Sequence, residues 1–342
     1  MTNTRSAISR RRLMATAVGT AVVVAGFPAI VRSQQAKRLL KPIVAGLNGK
    51  EGDPSYNSIA LIPKILREKY DVQIEMQIHP AQTLGSLESQ AEGVQTGFID
   101  ITSFSSSQLS FWTDTYEFLD LPYVLSSWDM ALRFYNSDLF RCLATQVESK
   151  VKVRMLPPVG AGGFRILWNR QRPLASPDDV RGLKFRTTAS AIEQSLIRAW
   201  GGNPTVIPFN EAYVGIQQGV IDGFYVQPIW NFNFKFFEVL KHGTHVQANF
   251  ATQLQVMNAA TFNAMPEAIQ KAFMAAAQDA AEIANPQDRE LEARFTRELQ
   301  GKGVQIHTPS PAELAKWRDK GQQVWSGAKF DQSLVRELQA MS

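Results

Sequence analysis

Few residues of this chain are spaced for covalent or metal chemistry. Its four histidines are His79, His242, His245 and His307, and no two stand at the spacing of a helical metal pair. His242 and His245 flank Gly243 in Lys-His-Gly-Thr-His, which predicts a loop. There is no Gly-x-Ser-x-Gly elbow, and the serines at 105–107 have no histidine nearby, so they read as hydroxyl donors at a strand end. Gly160-Ala161-Gly162-Gly163 fits neither the dinucleotide nor the phosphate-loop pattern and is expected to be a flexible crossing between lobes. Cys142 is the only cysteine, so it forms no intramolecular disulfide; between Arg141 and Leu143 it is expected on a helix, partly buried and inert. Neither a metal nor a cofactor is implied. Carboxylate pairs assembled by folding leave a secreted hydrolase or lyase open.

What remains is a set of residues suited to holding a small molecule. Phe104, Trp168 and Trp230 fall at or near strand ends, where ligand contacts gather in α/β folds. Asn48 and Glu51 follow the first strand, and Ser103 adds a hydroxyl beside Phe104. Such residues converge only if several strands end at one place. From Pro42 onward, short apolar stretches do alternate with amphipathic ones, which is the pattern of an α/β protein. Strands are expected at 42–47, 72–78, 98–104, 151–157, 164–169 and 183–187, with helices at 53–70 and 86–97 between the first of them. The stretch 266–299 is helical throughout yet holds Pro286, which predicts either one long helix bent where two lobes meet or two helices with a break. Ser176-Pro177 and Ser310-Pro311 read as helix starts, and the tail from Phe330 as helical.

One internal echo bears on organisation. Gly93-Val94-Gln95-Thr96-Gly97-Phe98-Ile99-Asp100 is matched by Gly215-Ile216-Gln217-Gln218-Gly219-Val220-Ile221-Asp222. Each predicts a helix closed by a left-handed glycine and followed at once by a strand. Two such units far apart point to two lobes built alike. The expected division is 37–161 with about 250–285 as lobe I, and 162–249 with about 286–342 as lobe II.

Residues 1–36 are set apart by composition. Ser9-Arg10-Arg11-Arg12-Leu13-Met14 precedes an apolar run at 15–31 that contains Gly19, Gly26 and Pro28, which is export-signal grammar rather than a membrane span. Arg10-Arg11 resembles a twin-arginine signal, with an ordinary Sec signal as the alternative. These residues hold five of the 36 basic side chains and no acid, so 31 basic residues face 31 acidic ones in the remainder. With that balance, and no basic stripe interleaved with aromatics, nucleic acid is an unsuitable partner.

Four stretches in order carry a resemblance. They are His79-Pro80-Ala81-Gln82-Thr83-Leu84-Gly85, Asp120-Leu121-Pro122-Tyr123-Val124, Gly182-Leu183-Lys184-Phe185-Arg186, and Asn203-Pro204-Thr205-Val206-Ile207-Pro208-Phe209-Asn210-Glu211-Ala212-Tyr213. Together they resemble the solute-binding subunits of tripartite ATP-independent periplasmic (TRAP) transporters. The resemblance implies a two-lobed periplasmic binding protein fold with a long kinked hinge helix crossing both lobes, and a small organic carboxylate held between them. It also implies a small and a large membrane subunit as partners; a membrane sensor as partner is the alternative. The matching arginine for the ligand carboxylate is Arg186, with Arg165 in support, and a guanidinium presents paired donors that suit a carboxylate. After Asp222-Gly223 the sequence departs from the family's amide-bearing segment, and Phe224-Tyr225-Val226-Gln227 stands there instead. Gln227 is expected to replace the amide, while Phe224 and Tyr225 favour an aromatic or branched carboxylate.

Overall fold

The computed structural model describes residues 41–328 and 330–341, so the export signal expected at 1–36 lies outside the described residues. Its strands are β1 (Ile43–Gly46), β2 (Met76–His79), β3 (Ile101–Ser105), β4 (Val153–Met155), β5 (Val159–Phe164), β6 (Ile166–Asn169), β7 (Lys184–Thr187), β8 (Asn203–Val206), β9 (Gly223–Val226), β10 (His242–Thr244), β11 (Phe250–Asn258) and β12 (Gln305–His307). They form two sheets. The first runs β2-β1-β3-β11-β4, with β5 also on β11, and the second runs β12-β10-β6-β9-β7-β8. His242 therefore opens a strand rather than lying in a loop, because its Gly243 passes flat over Trp168, where a Cβ would stand 2.4 Å from the ring.

The helices follow from local chemistry. In Pro54–Tyr70 a proline occupies the first turn, where its missing N–H costs nothing. Ile59, Ile62, Ile65 and Leu66 form the buried face, and Asp71 ends the helix in the left-handed region at φ 51°. Leu87–Thr96 is capped by Ser86 and closed by Gly97 at φ 80°.

The sequence echo is reproduced atom for atom. Ile99 N–H donates to the Gly93 carbonyl at 3.0 Å, and Ile221 N–H to the Gly215 carbonyl at 3.2 Å. Gly97 and Gly219 both have positive φ, 80° and 75°. Asp100 then accepts from Val44 N–H at 2.9 Å, while its own N–H donates to the Val44 carbonyl at 2.8 Å. Asp222 does the same with Lys184, at 2.9 and 2.7 Å. Each carboxylate thus locks the entry of a strand to its parallel neighbour.

The two lobes are joined by β5 running into β6, by the return through residues 245–249 into β11, and by one uninterrupted helix, Glu267–Gly301. The alternative of two helices with a break does not hold. Pro286 sits inside the helix, and the loss of one backbone hydrogen bond is tolerated because neighbouring side chains hold the helix to β5. Asn285 accepts from Gly160 N–H at 2.9 Å, Asp288 from Gly162 N–H at 3.0 Å, and Glu292 from Phe164 N–H at 3.3 Å. A Cβ on Gly160 would stand 2.2 Å from Asp288, and one on Gly163 2.0 Å from Glu292. The glycine-rich segment is therefore a close-packed strand and not a flexible crossing. On one side of Pro286 the helix packs Phe273, Ala276 and Ala280 against Ile59 and Ile62. On the other, Phe295 and Leu299 enter the core that holds Trp168 and Phe224. Cys142 is exposed rather than partly buried, since its helix, Asp138–Lys150, buries Leu139, Phe140, Leu143 and Val147 instead.

Candidate functional site

Strand β7 delivers Arg186 to the space between the sheets, level with Phe224 on β9 and Thr205 on β8. Its Nε donates to the Ile207 carbonyl at 3.0 Å, and the guanidinium lies 5.0 Å from the Phe224 ring centroid and 6.0 Å from that of Phe209. Burial lowers its pKa from the ordinary 12.5 to about 10, so it remains charged at neutral pH. The two terminal nitrogens have no carboxylate or carbonyl partner among the described residues. They border a cavity of about 40 Å³.

Arg165 lies where the crossing strands touch, with its N–H donating to the Asn249 carbonyl at 3.0 Å. Its side chain is already committed. Nη1 donates to Glu193 Oε1 at 3.1 Å, and Nη2 to the Ser107 hydroxyl at 3.1 Å. The other Glu193 oxygen accepts from Thr188 N–H at 2.9 Å and from the Thr188 hydroxyl. Behind this pair, the fully buried Asp120 accepts from the Ser106 hydroxyl at 2.7 Å, and its pKa is pushed up to about 7, first by burial and against the pull of Arg165.

Of the residues singled out from sequence, Arg186, Arg165, Asn48, Phe224, Tyr225, Gln227 and Trp230 line the cavity. Phe224, Tyr225 and Trp230 form its apolar wall together with Phe209, whose ring centroid is 5.7 Å from Phe224 and 5.9 Å from Trp230. Phe104, Trp168, Ser103 and Glu51 are not brought into it. Trp168 is fully buried, its ring against Gly243 of β10 and its Nε1 donating to the Val226 carbonyl at 2.7 Å, and Phe104 packs edge-on against Trp112. Ser103 is fully buried in β3, while Glu51 is exposed in a turn. Of the three strand-end aromatics, Trp230 reaches the cavity while Phe104 and Trp168 are packing residues.

Sequence reasoning missed Ser105, Gln108, Thr188, Phe209, Val226 and Gln253. The serine run at 105–107 was a usable signal. Ser105 ends β3 and caps the short helix Ser106–Leu109, where its hydroxyl and N–H both donate to Gln108 Oε1 at 3.0 Å. Gln253 offered none, since a glutamine in an alternating strand is ordinarily solvent-facing; here all of β11 is buried.

The mouth of the cleft is bridged. Lys50, in the loop after β1, donates from Nζ to the Asn233 carbonyl at 2.6 Å and covers the Phe234 ring. Asn233 ends the helix Pro228–Asn233 that follows β9, and its amide donates to Asp53. Burial raises the Asp53 pKa to about 7.

A larger concavity, about 710 Å³, lies elsewhere, between the helix Ala191–Ala199 and the segment 323–328. Its charged residues are Asp114, Glu117 and Arg198; Glu117 accepts from Ala191 and Ile192 N–H groups, and Arg198, 3.4 Å from the Gln194 amide oxygen, stands on a helix face rather than between the sheets. The unpaired guanidinium makes the smaller cavity the candidate site.

Comparison with known proteins gives the family. The family model described as bacterial extracellular solute-binding protein, family 7, matches residues 45–332. The 2,3-diketo-L-gulonate-binding periplasmic protein of Escherichia coli (strain K12) is 25% identical over 291 residues, 84% of this chain and 86% of that protein. The C4-dicarboxylate-binding periplasmic protein of Rhodobacter capsulatus is 24% identical over 257 residues, 74% and 76% of the two chains. Among solved structures, a TRAP periplasmic solute-binding protein from Sulfurospirillum deleyianum with bound succinate superposes with a TM-score of 0.81 at 22% identity, covering 88% of this chain and 99% of that one.

Proposed function

Because the chain belongs to the bacterial extracellular solute-binding proteins of family 7, we propose that it captures a small organic carboxylate between its two lobes in the periplasm and delivers it to a TRAP-type membrane transporter. The relatives are binding proteins rather than enzymes, and their ligands are carboxylates or sugar acids. The observation that carries the reading is Arg186: a cation in a buried cavity with no acidic partner is costly to keep unless an anion joins it. A carboxylate meets its paired donors in one plane. Arg165, neutralised by Glu193, serves in this reading to shape the floor and to supply a secondary contact.

The apolar wall of Phe209, Phe224, Tyr225 and Trp230 supports a ligand with an apolar stretch, aromatic or branched, beside its carboxylate. Gln227, on the same wall, supports an amide contact to it. Export by the twin-arginine pair Arg10-Arg11, and small and large membrane subunits as partners, complete the proposal.

A thermal-shift screen of the exported protein against aromatic, branched, dicarboxylic and sugar acids tests it. A ligand at 100 times its dissociation constant stabilises a binder by about 2.7 kcal/mol. A shift confined to carboxylates, with the compound recovered unchanged, is expected. Flat curves across the set, or turnover of the compound, would overturn the reading.

A further inference from the structure

The polar groups of the cavity are divided between the lobes. Arg186 enters from the second sheet. From the first come Gln253 on β11 and its ladder partner Ser105 on β3, with Gln108 one helical turn on. Gln253 is 97% buried and its Oε1 has no hydrogen-bond partner, whereas Gln255, two residues along the same face, donates to the Ser58 hydroxyl at 2.9 Å. Gln108 spends its carbonyl oxygen on Ser105, which leaves its NH₂ group for the cavity. The first-lobe side of the cavity therefore offers two neutral amides, one with an unmet acceptor and one with a free NH₂ group, and no charge. A hydroxyl is the group that satisfies both at once, since it donates to one amide oxygen and accepts from another amide nitrogen.

The charges lining the cavity admit one anion. Arg165 and Arg186 are its only lysine or arginine residues among the described residues, and Arg165 is answered by Glu193 with Asp120 behind it. Lys50, at the mouth, is held by the Asn233 carbonyl. A second ligand carboxylate would be buried beside neutral amides, with no cation to pair it. Resting on the proposed role of Arg186, we infer that the ligand is a hydroxy-monocarboxylate, its carboxylate on Arg186 and its hydroxyl on Gln253 and Gln108, and that the cleft discriminates against dicarboxylates.

Calorimetric titration of the exported protein with butyrate, 4-hydroxybutyrate and succinate, and with their five- and six-carbon counterparts, tests this. The hydroxy acid is expected to bind at least tenfold tighter than the dicarboxylate of the same length. In Gln253→Met, which keeps the side-chain volume, the ratio of hydroxy-acid to plain-acid affinity should fall to about one. A dicarboxylate that binds tightest overturns the inference and leaves the carboxylate reading standing, as does a Gln253→Met protein that weakens all three compounds alike. If no compound of the set binds, the inference falls, and the carboxylate reading stands or falls with the thermal-shift screen.

Discussion

Arg165 and Glu193 form an ion pair at 3.1 Å, with side chains only 10% and 3% exposed, at the floor of the cleft. That pair decides how much charge a ligand can bring. Glu193→Gln would leave Arg165 buried without its counter-ion, a change that ordinarily costs about 3 to 5 kcal/mol. We expect a lower urea midpoint and, in the protein that still folds, an affinity ratio shifted toward dicarboxylates. An unchanged ratio by calorimetry would contradict the role given to this pair.

Arg186 should behave in the opposite way. Its charge is buried and has no carboxylate in contact, only the field of Glu193 against its desolvation, so Arg186→Met is expected to leave the ligand-free protein as stable as before or more so. The same change should cost about 2 to 5 kcal/mol in carboxylate binding. Denaturation and titration of one sample read both quantities, and a loss of stability matching the loss of binding would point to a structural arginine.

The bridge at the mouth predicts an effect without ligand contact. Asn233→Ala removes the amide that reaches Asp53 across the cleft. The closed form then loses a cross-lobe bond, and ligand dissociation should accelerate several-fold with little change in association. Stopped-flow release measures this; equal off-rates would show that the bridge does not hold the lobes shut.

Asp120 predicts a direction for pH. Its carboxyl titrates near pH 7 in the folded protein against an ordinary 3.8, because it is fully buried. Between about pH 4 and 7 the native state keeps a proton that the unfolded chain has released, so stability falls as pH rises through that window. Asp53 acts in the same sense. Asp120→Asn should flatten the profile, losing less stability than wild type between pH 5 and 7.5 in urea denaturation. Parallel profiles would refute the assignment.

Two glycines separate crowding from backbone strain. Gly163 and Gly182 both have positive φ, 79° and 84°, but a Cβ on Gly163 meets Glu292 and one on Gly182 meets nothing within 4 Å. Gly182→Ala should cost about 1 kcal/mol, as left-handed backbone does for an L-residue. Gly163→Ala should cost clearly more by thermal denaturation.

The parts of this architecture that could be read from sequence are those with short-range causes. Serine caps, left-handed glycines and the Gly-to-Asp echo are local events, and each was found where the residues predict it. The place of Arg186 in the cavity was legible through the resemblance of its strand to a known one; the residue alone reads as a surface or salt-bridge arginine. Gln253 was not, since only tertiary cover distinguishes a glutamine facing a cleft from one facing water. Trp168 misled for the same reason in reverse: a strand-end aromatic contacts ligand only if it faces open space, and this ring is fully buried against Gly243 of the neighbouring strand β10. The run 160–163 misled because glycine signals either freedom or crowding, and the helix that crowds it lies more than a hundred residues away.

The order of the two sheets has a consequence for how the chain can be divided. In the first, β2-β1-β3 is completed by the antiparallel β11 and then β4; in the second, β8-β7-β9 is completed by the antiparallel β6 and then β10. Of these, β11 returns to the first sheet only after the chain has built the second from β6 to β10. The first lobe therefore cannot be cut out as one continuous segment without opening a gap in the middle of its sheet, whereas the stretch from β6 to β10 carries the second sheet unbroken and lacks only the edge strand β12.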